Sequence, residues 1–363
     1  MDAATSTEPA PQAAAIRVRR RAVVNLRDAR PIWAMPGWAR QGIASSFAAD
    51  WDVIFVESPV DGRGDGSGAS AEALDAVAGT EVYIGYGMPP DLFRAAMAPP
   101  AARLRWIHTA TAGVASLLHP ALMESDVIIT NSAGVHAPAM AETIVAMILH
   151  FTRGIDFAVR SQAEGRWDST PFEERIGAVS EIAGATLGII GFGGIGQHVA
   201  QRAAALGMNV IALRRSNLPG PAGVEMLTGA DALERLLRQS DVVVVAVPAT
   251  VRTRSLIGAR ELSMMKPGAV FVNASRGDVV DAAALVDALA RNALRGAALD
   301  VFSSEPLAPA SPLWRLPNAL ILPHVSATSP RFWLRQVDLM RDNIARYLAG
   351  RALRNVVDRE RGY

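Results

Sequence analysis

The chain has 363 residues, half of them hydrophobic, a net charge of +1 and no cysteine. That length suits two domains, and so small a net charge gives no general pull toward nucleic acid or an anionic membrane. Without cysteine there is no disulfide, no thiolate-held zinc and no thiol nucleophile, while the only lysine, Lys266, lies in a Met-Met-Lys-Pro-Gly turn that argues against Schiff-base chemistry.

Residues 1–20 read as a disordered tail, rich in Ala, Pro, Ser and Thr and carrying Asp2 and Glu8. A secretory signal would begin with positive charge and continue with an apolar run, so the expected location is cytoplasmic. The basic run Arg17–Arg21 reads as a solvated entry to the first strand rather than a nucleic-acid patch. Buried strands are expected at Ala22–Leu26, Asp52–Val56, Val82–Ile84, Arg105–His108 and Val127–Thr130, with room for a helix between most pairs, which argues for a parallel sheet. The glycine-rich segment Asp61–Gly68 is not followed by a Gly-Lys-Ser/Thr signature and reads as a surface turn.

From Ala139 to about Arg153 the pattern is a strongly apolar helix, and the charged stretch Arg160–Arg175 reads as a connector. A second series of strands follows at Thr186–Ile190, Asn209–Leu213, Val242–Val247, Ala269–Asn273, Ala297–Val301 and Leu320–Leu322, a doubly wound pattern whose apolar runs are too short to span a bilayer. A last helix is expected over Arg331–Ala349, with an irregular end to Tyr363.

Gly191-Phe-Gly193-Gly-Ile-Gly196 joins the first strand of this series to a helix. Such a turn lets Gly191 bend tightly, Gly193 admit a pyrophosphate against the backbone and Gly196 pack helix on strand, with the helix N-terminus facing the phosphates. The next strand ends in Arg214-Arg215-Ser216-Asn217, where an NAD site would place a carboxylate for the ribose 2′-hydroxyl. Two guanidiniums and a hydroxyl suit a 2′-phosphate instead. NADP(H) is therefore the expected cofactor, with NAD(H) second.

Ligands in an open α/β sheet lie off the carboxyl ends of the strands. There the last three strands deliver Arg276, Asp300 with Glu305 beyond it, and His324. Arg276 can hold a 2-oxo acid by its carboxylate and polarise the carbonyl. His324 can give a proton to the oxygen as hydride reaches C2, oriented by Glu305, which also favours the protonated imidazole. Asp300 is expected to bond a nicotinamide carboxamide. Of the other histidines, His198 lies in the first turn of the dinucleotide helix and His150 in the apolar helix; His108, His119 and His136 could line the cleft but have no acidic partner nearby in sequence.

These motifs resemble the D-isomer-specific 2-hydroxyacid dehydrogenase family. The likeness runs from Arg105 to Tyr363 through Gly191–Gly196, Met265–Ala269, Val272–Val280, Gly296–Leu307, Ser311–Trp314, Pro317–His324 and the ending Asn355–Asp358 with Gly362 and Tyr363. It implies Arg276, Glu305 and His324 as catalytic trio, with Ala112, Gly113 and Val114 offering backbone amides to the substrate carboxylate. It implies cofactor contacts from Gly191, Gly193, Gly194, Ile195, Gly196, Arg214, Arg215, Ser216, Pro248, Thr253, Ala274, Ser275, Asp300 and Ser326, and no metal. The implied architecture is two Rossmann-like or flavodoxin-like parallel-sheet domains: a discontinuous substrate domain (21–152 and 326–363) with a dinucleotide-binding domain (153–325) inserted. A homodimer joined largely through the dinucleotide domains is also implied.

The chain departs from the family in reading Val-Ser-Ala-Thr after His324, where many members carry a small-residue Gly pair, and in carrying Arg214 where most NAD users carry Asp. Glu305 stands where related formate dehydrogenases have glutamine, which ranks a formate or phosphite oxidoreductase last. Tyr86, Met88 and Trp106 are candidate pocket lining, and Trp314 a packing anchor. The expected function is reduction of a small 2-oxo acid to its (R)-2-hydroxy acid, of the glyoxylate and hydroxypyruvate type. The alternative from another class is a nucleotide-sensing, corepressor-like scaffold, which a measurable turnover would exclude.

Overall fold

The computed structural model describes residues 19–60, 69–114, 117–174, 177, 179–215, 219–360 and 362. The expected tail up to Val18, the Asp61–Gly68 turn and the cofactor candidate Ser216 lie outside the described residues.

The first five strands are β1 (Arg20–Asn25), β2 (Trp51–Phe55), β3 (Val82–Gly85), β4 (Trp106–Thr109) and β5 (Ile128–Thr130). They form one parallel sheet in the order β2-β1-β3-β4-β5, a flavodoxin-like winding. Helices α1 (Gly37–Ala44), α2 (Ala71–Ala76), α3 (Pro90–Ala96) and α4 (Pro120–Met123) make the crossovers. Because helices cover both faces, β3 and β4 are buried at every residue, His108 and Thr109 included.

The second sheet holds β6 (Thr186–Ile190), β7 (Asn209–Leu213), β8 (Val224–Leu227), β9 (Val242–Val245), β10 (Val270–Asn273), β11 (Gly296–Leu299) and β12 (Ala319–Ile321). All pair in parallel, in the order β12-β11-β10-β9-β6-β7-β8. The remaining helices are α5 (Ala137–Thr152), α6 (Ile155–Ala163), α7 (Thr170–Glu173), α8 (Gly194–Ala205), α9 (Ala232–Gln239), α10 (Ala259–Met264), α11 (Ala282–Ala290) and α12 (Phe332–Leu348). Two sequence readings need correction. Strand β8 has no counterpart among the expected strands: it is a short edge strand with only Leu227 buried, so its apolar signal is weak. The supposed connector 160–175 carries the end of α6 and all of α7.

The chain passes from one sheet to the other through α5, whose Ala141, Ile144, Met147, Ile148 and Phe151 pack with Leu187, Ile189, Val272 and Ala298 of the second sheet. Gly296 makes that fit possible, since a Cβ there would stand 2.5 Å from the Phe151 ring. After β12 the chain returns, and Phe332, Trp333, Val337, Met340 and Ile344 of α12 pack beside Ala22, Val24 and Trp106 in the first unit. Each large side chain buried this way contributes about 1.5–3 kcal/mol. The last residues then pair with β5, Val357 N donating to Ile129 O at 2.8 Å. No helix of the described residues is long and apolar enough to cross a membrane.

Candidate active site

The order of the second sheet reverses between β6 and β9, and a ligand crevice is expected off their carboxyl ends. Gly191 leaves β6 at φ +103°, and a Cβ there would come 2.5 Å from Ala246 O, so no other residue makes this turn unstrained. Gly196 sits against it: its Cβ would fall 2.3 Å from Gly191 O. A Cβ on Gly193, by contrast, would meet nothing within 4 Å. The turn thus presents open space to the first-turn amides of Gly194, Ile195 and Gly196, whose donors have no intrahelical acceptor. These residues fit a dinucleotide pyrophosphate.

At the end of β7, Arg214 donates to Pro219 O at 2.9 Å, with its guanidinium 6.0 Å above the Phe192 ring, and Arg215 is exposed beside it. No carboxylate stands between Asn209 and Arg215. The loop after β9 is closed on itself: Thr253 Oγ1 donates to Pro248 O (2.6 Å) and accepts from Thr250 N (2.8 Å), leaving Pro248 exposed on the rim.

At the end of β10, Ala274 and Ser275 are buried. Asn273 Oδ1 accepts from both the amide and the hydroxyl of Ser275, and its Nδ2 donates to Arg276 O. This local clamp turns Arg276 outward, where Nη1 donates to Ser275 O at 2.7 Å. The side chain keeps access to solvent but is walled by protein, and this burial lowers its pKa from the ordinary value while the Glu305 charge works the other way. Across the cleft, a Cβ on Gly113 would lie 2.6 Å from Arg276 Nη2, so the loop after β4 and the end of β10 touch. That loop is pinned by Asn131 Nδ2 donating to Ala112 O and Thr111 Oγ1 to Gly113 O. The amides of Ala112, Gly113 and Val114 donate to no acceptor among the described residues.

One strand further, His324 Nδ1 and Glu305 Oε2 are 2.6 Å apart, and the other Glu305 oxygen accepts from Phe302 N at 2.9 Å. Both side chains remain partly open, 48 % and 35 % exposed. The Glu305 loop is seated on Gly277, where a Cβ would fall 1.9 Å from the Phe302 carbonyl carbon. His324 itself has φ +56°, a left-handed backbone uncommon for a side chain of this size.

Several sequence readings change here. Asp300 is fully buried, and its carboxylate accepts from Val325 N (2.7 Å) and Ser326 N (3.2 and 3.1 Å). Ser326 is buried behind this turn. His108, His119 and His136 do not offer cleft bases. His108 is fully buried against Thr130, Ser132 and Gln336, and desolvation pushes it down to about 3. His136 stacks on Phe332 at 5.2 Å and is lowered by burial to about 4, while His119 accepts from Leu122 N as the cap of α4. Burial also lowers His150 and His198. Met88 and Trp106 are wholly buried and Tyr86 nearly so, hence core rather than pocket lining; Trp106 donates to Thr130 Oγ1 and stacks on Tyr347. Half-exposed Trp314 donates to Ala308 O. Asn131, Asn273 and Gly277 were missed by sequence reasoning. Their only signal was a small polar residue or glycine at or shortly past a strand end.

Residues 145–326 match the family model of the D-isomer specific 2-hydroxyacid dehydrogenase NAD binding domain. A glyoxylate reductase of Aeropyrum pernix is 37 % identical over 238 residues, 64 % of this chain and 70 % of its own length. A glyoxylate/hydroxypyruvate reductase B of Pectobacterium atrosepticum is 33 % identical over 289 residues, 79 % of this chain and 88 % of that one. Among solved structures, an NADPH-dependent glyoxylate/hydroxypyruvate reductase of Sinorhizobium meliloti, in complex with NADP and sulfate, superposes with a TM-score of 0.74 at 27 % identity, covering 95 % of this chain and all of that one.

Proposed function

The chain belongs to the D-isomer specific 2-hydroxyacid dehydrogenase family, and on that premise we propose that it reduces a small 2-oxo acid to the (R)-2-hydroxy acid with NADPH, NADH being the poorer donor. The observation that carries this reading is the convergence of the Arg276 guanidinium, touching Gly113, with the hydrogen-bonded His324–Glu305 pair. A nucleotide-sensing scaffold is not favoured, since the relatives it matches are named as reductases and dehydrogenases.

The bound cofactor supplies hydride to C2 of the oxo acid. Gly193, Gly194, Ile195 and Gly196 hold its pyrophosphate, with Gly191 shaping the turn. Arg214, Arg215 and Ser216 bind the 2′-phosphate, and Pro248, Thr253, Ala274, Ser275 and Ser326 border the site. Arg276 grips the substrate carboxylate together with the amides of Ala112, Gly113 and Val114, and draws electron density from the carbonyl. His324 Nε2 donates the proton that the new hydroxyl needs, and Glu305 at Nδ1 fixes the ring and balances the imidazolium charge. Residues 21–152 and 326–363 act as substrate domain and 153–325 as dinucleotide domain. The enzyme works in the cytoplasm as a homodimer, which the solvent-facing Ile155, Val159, Trp167 and Phe172 on α6, α7 and the turn between support.

The test is steady-state oxidation of NADPH and of NADH with glyoxylate, hydroxypyruvate, pyruvate and phenylpyruvate, on the wild type and Arg214→Asp. Turnover is expected, with kcat/KM higher for NADPH and the preference reversed or abolished in the variant. No oxidation with any of the four acids, despite NADPH binding, would overturn the reading.

A further inference from the structure

Three asparagines link the end of the chain to the loop that faces Arg276. Asn343 of α12 is fully buried and spends its whole amide on one residue: Oδ1 accepts from Arg354 N at 2.7 Å and Nδ2 donates to Arg354 O at 3.1 Å. The next residue, Asn355, stands at φ +54°, a left-handed backbone that asparagine tolerates better than most residues. Its Nδ2 donates to two carbonyls, Asn131 O at 3.2 Å and Ala133 O at 2.9 Å, and its own carbonyl accepts from Asn131 N at 3.0 Å. Asn131, only 5 % exposed, in turn donates from Nδ2 to Ala112 O at 3.0 Å and accepts at Oδ1 from Ala133 N at 3.1 Å. An amide side chain offers a donor and an acceptor side by side, which matches a peptide group, and the same residue type recurs at each step.

The relay ends on three successive peptide groups beside Arg276. Thr111 O accepts from Ser132 N at 2.9 Å, Ala112 O from Asn131 Nδ2 at 3.0 Å and Gly113 O from Thr111 Oγ1 at 2.7 Å. In a planar trans peptide the carbonyl and the following N–H point opposite ways. Holding these three oxygens therefore aims the amides of Ala112, Gly113 and Val114 away from their anchors, and none of the three donates to an acceptor among the described residues. We propose that Asn131 and Asn355 are positioning residues for the substrate carboxylate: Asn355 of the returning chain end holds Asn131, and Asn131 turns the Ala112–Gly113 peptide so that its N–H meets the oxo acid opposite Arg276. This rests on the reading of Ala112–Val114 as part of the carboxylate site and deepens it. It also gives the Asn355–Asp358 ending a task in binding: the second crossing of the chain, 224 residues from Asn131, sets the loop after β4.

The experiment measures oxamate, an unreactive carboxylate analogue of a 2-oxo acid, binding to the NADPH complex of the wild type, Asn131→Asp and Asn355→Gly. Asn131→Asp keeps the shape and the acceptor for Ala133 N but sets an oxygen against Ala112 O. Asn355→Gly keeps the left-handed backbone and removes the side chain. Oxamate Kd should rise on the order of tenfold in Asn131→Asp, the worth of one hydrogen bond to a charged group, and by less in Asn355→Gly, with NADPH Kd unchanged in both. Melting curves show whether each variant is folded at the assay temperature; if Asn131→Asp is not, Asn355→Gly, partly exposed in the wild type, carries the same comparison. Unchanged oxamate affinity in the folded variants would overturn the proposal, since a purely structural pair moves the melting temperature alone. Oxamate bound by Arg276→Ala as tightly as by the wild type would instead overturn the reading of this cleft as the carboxylate site. The amide NMR signal of Gly113 then decides the positioning: a shift in Asn355→Gly, whose altered side chain touches neither Ala112 nor Gly113, supports it, and an unmoved signal overturns it.

Discussion

Gly113 shows how one absent side chain sets a site. Its φ lies outside the left-handed region, so alanine can occupy the position without backbone strain, yet the added Cβ would stand 2.6 Å from Arg276 Nη2. The clash is with the tip of a long side chain, which moves cheaply. Stability should therefore hardly change while activity suffers, since a guanidinium displaced by about 1 Å can cost up to roughly a hundredfold. Gly113→Ala is expected to lower kcat/KM for the oxo acid roughly ten- to a hundredfold, at unchanged melting temperature and NADPH affinity. A wild-type kcat/KM would mean that Arg276 and this loop do not meet in the working enzyme. At this scale the sequence told which residues stand past the strand ends, and the structure brings two of them, Glu305 and His324, within 2.6 Å. Asp300 shared both signs and is fully buried. A position after a strand says which end of the sheet a residue occupies, and nothing about which way its side chain turns.

Among elements, strands were the easiest to anticipate, because a parallel sheet covered on both faces leaves uninterrupted apolar runs such as Val242–Val245. The helices α6 and α7 were read as a charged connector for want of information that is not local. Asp156 on α6 is only 3 % exposed, and its partner Arg295, just before β11, 13 %. They form a two-pronged pair at 2.7 and 3.1 Å, the guanidinium lying 4.5 Å from the centre of the Phe157 ring. Pairing across 139 residues of sequence leaves no mark in a short window, where Asp156 and Arg160 look merely solvated. Removing one partner strands a buried charge, which costs about 3–5 kcal/mol, whereas replacing both with apolar groups is often neutral. Asp156→Ala should accordingly lose about 3–5 kcal/mol of stability by urea denaturation, and Asp156→Leu with Arg295→Met should recover most of it. An additive loss in the double variant would show that the two residues act separately.

For the molecule as a whole, the return of the chain end is what lets an inserted second unit share a cleft with the first, and a buried polar cluster secures that return. His108 on β4 meets Thr130 at 2.9 Å, Ser132 at 3.3 Å and Gln336 of α12 at 3.2 Å, while His136 stacks on Phe332 of the same helix. Nothing local announces this cluster, since Gln336 lies 228 residues from His108. Both imidazoles are lowered by desolvation, to about 3 and about 4, against an unfolded value of 6.5. Between pH 6.5 and 4 the unfolded chain therefore binds protons that the folded chain refuses, so stability is full above 6.5 and falls as the solution is acidified. Two such groups give a slope of up to about 2.7 kcal/mol per pH unit, and one up to about 1.4. In His108→Asn, urea denaturation from pH 7 to pH 4 should show a lower stability at pH 7 but a slope below 6.5 reduced by up to about 1.4 kcal/mol per pH unit. Loss of α12 docking would accompany acid unfolding and register as exposure of Trp333, buried in that interface. An unchanged slope would mean that His108 takes up its proton in the folded state, and that the cohesion of the chain's two ends does not depend on keeping this imidazole neutral.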